Sequence, residues 1–308
     1  MNKRRVRNYI LVLSIGLLTV TTLFGCSKNS EEPTTSDKTR IISTEKGDVT
    51  VPGSPKRIVI QDYAGDLVAL GIKPIAGNFP KEEYEDSYGE KDEYTQIASK
   101  LDVEEIMALD PDLIFITNEK EYDAVSKIAP TILIPSMKLA TEERVEFIAK
   151  VVGKETESKN VLEEFNKRAE QNRKKLKDNG IENKTIIAIE GGVSELYLFG
   201  DKYGRGADVI YNYLGVKAPQ KVEEKFKQGE LFLHLSMEVL PEYSGDYILR
   251  SVYEGMEDVS SNNVWTSIPA VKNNRVIDIN FDKFMTRDIL TQNRQMDFIT
   301  DEILKTLK

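Results

Sequence analysis

Residues Thr156–Lys177 read TESKNVLEEFNKRAEQNRKKLK and carry the strongest helical signal of the chain. Val161, Phe165 and Ala169 are spaced by four, Leu162 stands beside them, and most other positions are charged. This spacing puts the apolar side chains on one stripe of a solvated helix. At 1.5 Å per residue the predicted helix is a rod of about 33 Å. A rod that joins two lobes restricts how far they swing, so we expect hinge motion to be small.

Short apolar runs alternate with helical segments on both sides of this helix. Before it, strands such as Ile58–Ile60 and Leu113–Ile116 are separated by single helices, which is typical of βαβ units with a parallel sheet. After residue 184 a similar rhythm returns, with Thr185–Ile189 and Tyr247–Arg250 among the predicted strands. The sequence therefore predicts an α/β protein with two Rossmann-like lobes joined by one long rigid helix.

The predicted boundaries follow from these patterns and from a change of composition near the amino terminus. They are a signal peptide over 1–25, a flexible tether over 26–40, an N-terminal α/β lobe over 41–155, the connecting helix over 156–180 and a C-terminal α/β lobe over 181–308.

The amino-terminal segment has the pattern of a lipoprotein export signal. Basic residues at positions 3–7 precede Tyr9–Phe24, an uncharged run of about sixteen residues, and Gly25 then precedes Cys26. A membrane-spanning helix needs roughly twenty apolar residues, so we expect cleavage rather than a span. Cys26 would then carry lipid and hold the protein on the extracytoplasmic face of the cell membrane. A buried structural cysteine or an uncleaved anchor is the alternative.

Charge and cysteine content exclude several function classes. The chain has 42 Lys and Arg against 51 Asp and Glu, a formal net charge of −9, which argues against a nucleic-acid partner. Cys26 is the single cysteine, so once it carries lipid no thiol remains for a disulfide, a thiolate metal site or a nucleophile.

Enzyme and metal motifs are also missing from the sequence. The single histidine, His234, lies between apolar neighbours and is predicted to be a core or strand residue rather than a base or ligand. No nucleophile elbow flanks it, and Gly200, Gly204 and Gly206 lack the Lys-Ser/Thr ending of a phosphate loop. No histidine, cysteine and carboxylate cluster has metal-ligand spacing. We therefore expect no catalytic activity and no metal held by the protein's own side chains.

The segment Tyr197–Gly206, YLFGDKYGRG, is the strongest candidate for ligand binding. It places Tyr197, Tyr203 and Arg205 among glycines that let the backbone bend towards a ligand. Arginine offers a planar charged fork, and tyrosine offers a flat apolar face with a hydroxyl at its tip. By its residues alone, the segment is equally compatible with a surface turn.

The chain resembles the lipid-anchored solute-binding proteins of iron-siderophore uptake, of the ferrichrome or iron-hydroxamate type. The resemblance extends from Arg57 to the carboxyl terminus, and four stretches carry it. They are LDVEEIMALDPDLI (Leu101–Ile114), LFGDKYGRGADVIYNYLG (Leu198–Gly215), LSMEVLPEYSGDYIL (Leu235–Leu249) and WTSIPAVKNNRVIDI (Trp265–Ile279). It implies the class III binding-protein fold, with ligand in a shallow cleft between two lobes that a helix bridges.

The resemblance also implies a set of ligand-binding residues from both lobes. These are Tyr197, Tyr203 and Arg205, with Met137 and Lys138 from the first lobe and Phe284 and Arg287 from the second. No cofactor is implied, because ferric iron would be bound only through its siderophore.

Two departures from the family pattern bear on the ligand. Tyr203 stands where several relatives carry tryptophan, and residues 284–287 are less aromatic than usual. A pocket with fewer rings and with cations from Arg205, Arg287 and Lys138 or Lys202 would suit a more anionic chelate. We therefore hypothesise a citrate-hydroxamate ligand as readily as a neutral trihydroxamate.

The resemblance further picks out Glu104 and Glu238, one near the start of a predicted helix in each lobe. A carboxylate there is favoured by the helix dipole alone, so a plain surface role is the alternative. The family role is docking onto arginines of the permease, because exposed charges guide and register an encounter.

The sequence as a whole thus predicts a monomeric receptor that captures a ferric siderophore and delivers it to an ABC permease and its ATPase. Two alternatives stay open. One is a binding protein of the same fold for haem or cobalamin, for which His234 would be the only histidine ligand. The other is an exported hydrolase.

Overall fold

The computed structural model describes residues 39–78 and 94–307. The predicted signal peptide, Cys26 and tether residues 26–38 lie outside the described residues, so lipidation stays a prediction. The first strand begins at Thr39, and the last two residues of the predicted tether therefore belong to the folded body. Across the described ranges, no helix combines the length and apolar character needed to cross a membrane.

The first lobe contains a parallel sheet and a separate antiparallel hairpin. Its strands are β1 (Thr39–Thr44), β2 (Gly47–Pro52), β3 (Ile58–Ile60), β4 (Ala76–Gly77), β5 (Thr95–Gln96), β6 (Leu113–Ile116) and β7 (Thr131–Leu133). Its helices are α1 (Ala64–Ala69), α2 (Val103–Ala108), α3 (Tyr122–Val125) and α4 (Thr141–Val152). β1 and β2 form the hairpin, and the parallel sheet has the order β5-β4-β3-β6-β7. The central strands β3 and β6 are buried throughout, as expected of parallel strands covered on both faces.

The second lobe contains a mixed sheet. Its strands are β8 (Ile186–Gly191), β9 (Leu196–Phe199), β10 (Phe232–Leu235), β11 (Tyr247–Val252) and β12 (Val276–Asn280), in the order β10-β9-β8-β11-β12. β8, β11 and β12 are parallel, whereas β9 is antiparallel to β8 and to β10. Only four residues join β8 to β9, and so short a link permits a hairpin but not a parallel crossover. Gly191 opens that turn at a φ of 113°, in the region that favours glycine.

The remaining helices join the lobes and cover the second sheet. They are α5 (Glu155–Asp178), α6 (Gln220–Lys227), α7 (Leu240–Tyr243), α8 (Asn263–Ser267), α9 (Pro269–Lys272), α10 (Phe281–Met285) and α11 (Ile289–Lys305). Single 3₁₀ turns occur at Glu119–Glu121, Ile181–Asn183 and Met237–Val239, and a π-helical turn occurs at Val209–Tyr213.

The long helix predicted over 156–180 is α5. Leu162, Phe165 and Ala169 of the predicted stripe are buried, and Val161 packs beside them half-buried. The carboxy-terminal helix α11, which the sequence patterns left unassigned, packs along α5. Asn172 of α5 donates a hydrogen bond of 2.7 Å from Nδ2 to Oδ1 of Asp297 on α11. A second helix therefore supports the connection between the lobes.

One hydrophobic core runs beneath both lobes. It joins Phe115 of the first sheet to Phe165 of α5 and Leu249 of the second sheet. A second cluster covers the other face of the second sheet and contains the buried Trp265. The described residues of both lobes belong to one compact unit.

Candidate functional site

A cleft of about 300 Å³ lies between the two lobes. From the first lobe, Asp62 and Tyr63 follow β3, Asn78 follows β4, and Met137 lies beyond β7. The second-lobe wall is formed by residues 202–205 and 285–287. The carboxyl ends of parallel strands are where ligands usually bind in open α/β sheets, so this cleft is the candidate binding site.

Glycine shapes the second-lobe wall. A Cβ atom on Gly204 would lie 2.7 Å from the carbonyl oxygen of Met285, so no other residue fits without movement. The next residue, Arg205, has a φ of 63° and donates its backbone N–H to the carbonyl of Phe284 at 2.8 Å. The two second-lobe segments are therefore joined through their backbones.

Arg205 is held by an acid and an aromatic ring. Its Nε donates to Oε2 of Glu190 at 2.9 Å, and both side chains are 16% exposed. The guanidinium carbon lies 4.5 Å from the centre of the Phe281 ring, within cation–π distance. Arg205 thus lines the cleft as one half of an ion pair without net charge.

Aromatic rings continue from the cleft to an adjoining pocket of about 150 Å³. Tyr203 stacks on Phe199 with ring centres 4.9 Å apart, and Tyr197 contacts Phe232 edge-on at 5.9 Å. The Tyr197 hydroxyl donates to Glu195. Tyr203 and Arg205 line both cavities, whereas Tyr197 lines only the adjoining one.

Arg287 lines the cleft and is also paired. Its Nε lies 3.2 Å from Oδ2 of Asp208, and its Nη1 donates to the carbonyl of Lys202 at 2.8 Å. The same Asp208 oxygen accepts from Nε2 of Gln292 at 2.6 Å. Burial raises the pKa of Asp208, while Arg287 and Gln292 oppose the rise.

On the first-lobe wall, Asp62 and Tyr63 stand side by side. Oδ2 of Asp62 accepts from the Thr117 hydroxyl at 2.5 Å. Tyr63 has a φ of 66°, and the Arg144 guanidinium lies 4.1 Å from its ring centre. Burial is the main cause that raises the pKa of both Asp62 and Tyr63.

The predicted first-lobe residues Met137 and Lys138 lie at the rim. Met137 is 44% exposed and lines the cleft. Lys138 lines a neighbouring pocket of about 400 Å³ together with Met137 and Arg287. Its Nζ lies 2.6 Å from Oε1 of Glu45 in an exposed ion pair.

The prediction for Phe284 needs correction. Its side chain is 4% exposed, belongs to the shared core, and meets Phe298 edge-on with ring centres 5.5 Å apart. Phe281, three positions earlier on the same short helix, contacts Arg205. Phe284 therefore packs into the core, and Phe281 is the ring of α10 that contacts Arg205, although it lines neither the cleft nor the adjoining pocket.

Glu104 and Glu238 are exposed in separate lobes. Glu104 lies in the first turn of α2, whose N-cap Asp102 accepts from the Glu104 backbone N–H at 2.9 Å. Glu238 lies in the 3₁₀ turn after Ser236, and a hydrogen bond with the Ser236 side chain lowers the pKa of Glu238. Both carboxylates are available to a partner.

His234 is on strand β10 as predicted, but it is not a core residue. Its side chain is 60% exposed and stacks on Tyr197 with ring centres 5.0 Å apart. It does not line the cleft. Within residues 39–78 and 94–307, no group of three or more His, Cys, Asp or Glu side chains is placed to hold a metal ion.

The sequence patterns missed Asp62, Glu190 and Phe281. Asp62 follows the end of β3, and Glu190 lies at the end of β8. Polar residues at the carboxyl ends of predicted parallel strands were the signal that could have identified both. Nothing in the local pattern distinguishes Phe281 from Phe284.

Comparison with known proteins places this geometry among binding proteins. A family model described as "Periplasmic binding protein" matches residues 58–282. The iron(3+)-hydroxamate-binding protein YxeB of Bacillus subtilis is 33% identical, with 96% of this chain and 97% of YxeB covered. The iron(3+)-hydroxamate-binding protein FhuD of the same organism is 30% identical, with 94% and 96% covered.

The fold also matches solved structures. The structure of FhuD2 from Staphylococcus aureus with bound ferrioxamine B superimposes with a TM-score of 0.73 at 27% identity. The match covers 82% of this chain and all of the FhuD2 chain.

Proposed function

Because the chain belongs to the periplasmic binding protein family, we propose that it captures a ferric hydroxamate siderophore outside the cell and delivers it to an ABC importer. The cleft between the lobes is the observation that carries this proposal. It combines aromatic faces, hydroxyls and paired guanidinium groups, which suit the outer surface of a preformed chelate. The receptor acts as a monomer and does no chemistry on its ligand.

Iron is cargo in this proposal, and the chelator's own hard oxygens hold it. The relatives YxeB and FhuD are named as iron(3+)-hydroxamate-binding proteins, which supports the ligand class. The bound ferrioxamine B in the related FhuD2 structure supports the same class.

The charges of the cleft favour a neutral or near-neutral chelate over a citrate-based one. Arg205 pairs with Glu190, Arg287 pairs with Asp208, and Lys138 pairs with Glu45. Three of the cations that could attract an anionic ligand are therefore already compensated. Lys202 remains, since its exposed side chain forms no ion pair with the part of the chain that the structure describes.

Delivery depends on Glu104 and Glu238, which we propose dock onto arginines of the permease. The lipid on Cys26 is proposed to keep the receptor at the membrane, next to that permease. The Bacillus subtilis relative YfiY is named as a probable siderophore-binding lipoprotein, which supports such an anchor.

Uptake of a radiolabelled ferric hydroxamate by whole cells tests capture and delivery together. The double variant Glu104→Lys/Glu238→Lys should abolish uptake while the purified protein keeps its affinity for the chelate, because neither side chain lines the cleft. The double variant Glu163→Lys/Glu170→Lys, on the exposed face of α5, makes the same change in net charge and should transport normally. Normal uptake by the first variant, or its loss of chelate affinity, would contradict the docking role.

A further inference from the structure

The two walls of the cleft differ in how their charges are compensated. On the second-lobe wall, Arg205 and Arg287 each contact a carboxylate, at 2.9 Å and 3.2 Å. On the first-lobe wall, the hydrogen-bond donors to Asp62 among the described residues are neutral, namely the Thr117 hydroxyl and the Asn78 side chain. Within residues 39–78 and 94–307, no lysine or arginine forms an ion pair with Asp62. Among the residues that the structure describes, the cleft therefore contains one carboxylate without an ion-pair partner, and Lys202, the cation without an ion pair, lies on the opposite wall.

The backbone holds Asp62 at this position. The next residue, Tyr63, has a φ of 66°, a conformation that costs a non-glycine residue free energy. Its ring is fixed from the other side by Arg144, whose guanidinium lies 4.1 Å from the ring centre. Thr117, just beyond β6, fixes the carboxylate itself at 2.5 Å. A contact from beyond a neighbouring strand and a strained backbone thus hold Asp62 in the lining of the cleft.

The surroundings of Asp62 disfavour a lone charge. Burial raises its pKa, hydrogen bonds from Thr117 and Asn78 oppose the rise, and the nearby Glu121 adds to it. Glu121 cannot compensate Asp62, since it is itself an acid that accepts from Gln61 at 2.7 Å and from the backbone of Leu101 at 3.0 Å. A cation that entered with the ligand would restore the balance, because opposite charges attract strongly where water is excluded.

We infer that Asp62 selects among ferric hydroxamates by forming an ion pair with a protonated amine substituent of the chelator. This inference rests on the proposed function and adds a specificity-determining residue to it. The iron-hydroxamate body would lie against Tyr203 and the paired arginines, with the ammonium group towards the first lobe. A charge-assisted hydrogen bond of this kind is worth about a tenfold difference in affinity.

Two chelates that differ only in this group provide the test. Ferrioxamine B carries a protonated primary amine at neutral pH, and N-acetylation removes the charge while leaving the iron centre intact. The wild-type protein should bind the amine form about tenfold more tightly by calorimetric titration. Asp62→Asn should lose that preference and bind the acetylated form as the wild type does. Asp123→Asn, an exposed acid on α3 of the same lobe, should keep the wild-type preference.

The other outcomes contradict either the role of Asp62 or the proposed function on which it rests. Equal wild-type affinity for the two chelates, or an unchanged preference in Asp62→Asn, would exclude charge selection by Asp62. Loss of both affinities in Asp62→Asn would assign the residue a structural role instead. Failure of the wild type to bind either chelate would contradict the proposed function rather than the role of Asp62.

Discussion

Glu190 and Arg205 form the contact that sets the charge of the second-lobe wall. Glu190 lies at the carboxyl end of β8 and is paired in register with Tyr197 of β9. Glu190, Arg205 and Tyr197 therefore lie close together at this end of the sheet. Without the Glu190 carboxylate, Arg205 keeps its contact with the Phe281 ring but loses the negative charge that compensates it. The charge preference of the cleft should therefore depend on Glu190.

Glu190→Gln should raise the affinity for ferric citrate about tenfold, the effect of roughly 1.4 kcal/mol. The affinity for a neutral ferric trihydroxamate should change little, because that ligand brings no charge. Competitive fluorescence titration of both chelates measures the two values. Glu195→Gln is the matched control, since Glu195 contacts Tyr197 and His234 rather than Arg205. An equal change for both ligands would contradict a role in charge preference.

Sequence reasoning at this scale found the residues that are close together along the chain. Tyr203 and Arg205 belong to one glycine-rich segment, and both line the cleft. Their partners Glu190 and Phe281 come from other elements, and only the folded sheet brings them near. Phe284 was misassigned because a helix of five residues can bury one phenylalanine and present another, and spacing does not say which.

Among the structural elements, the junction of α1, α4 and α11 holds the lobes together below the cleft. Arg144 of α4 and Asp66 of α1 form a fully buried ion pair at 2.6 Å. Arg144 also donates to the carbonyl of Arg287 at 2.7 Å, and Asp66 accepts from the backbone N–H of Ile289 at 2.8 Å. The pair thus fixes the chain between a cleft residue and the start of α11.

Arg144→Met should destabilise the protein by about 3 to 5 kcal/mol, because it leaves the Asp66 carboxylate buried without its cation. Urea unfolding measures this change. The double variant Asp66→Asn/Arg144→Met should recover part of the loss, since no charge is then buried. Lys174→Met, which breaks an exposed pair with Asp178 on α5, should have little effect. A small effect of Arg144→Met would contradict a structural role for the buried pair.

Spacing alone predicted α5 but not this junction. A stripe of apolar residues repeats along one helix, and it is therefore visible in the sequence. The partners Asp66, Arg144 and Ile289 come from three elements separated by up to 223 positions. The antiparallel placement of β9 is, by contrast, set locally by the short turn after Gly191.

For the whole molecule, two helices and a shared core connect the lobes. α5 and α11 pack together, and Phe165 of α5 lies in the core that reaches both sheets. Thr141 of the first lobe donates to Gln292 of α11 at 2.8 Å, and Gln292 in turn donates to Asp208. These contacts would have to break for the lobes to close far on a ligand.

Ligand binding should therefore change the distance between the lobes by less than about 2 Å. Spin labels on cysteines at Lys120 and Lys272, in a Cys26→Ser background, report this distance by pulsed electron resonance. Both lysines are exposed, one in each lobe. The iron-free chelator serves as the control. A shift of several ångströms on addition of the ferric chelate would contradict the rigid connection.

Calorimetric titration of the purified protein with a ferric trihydroxamate, the same chelator without iron, and unchelated ferric iron tests the central claim most directly. The protein should bind one ferric trihydroxamate saturably, because Arg205, Tyr203 and Arg287 line the cleft that we propose receives the complex. It should show no comparable binding of unchelated iron. Direct binding of unchelated iron, or no binding of any ferric hydroxamate, would contradict the claim that the receptor binds iron only as its siderophore complex.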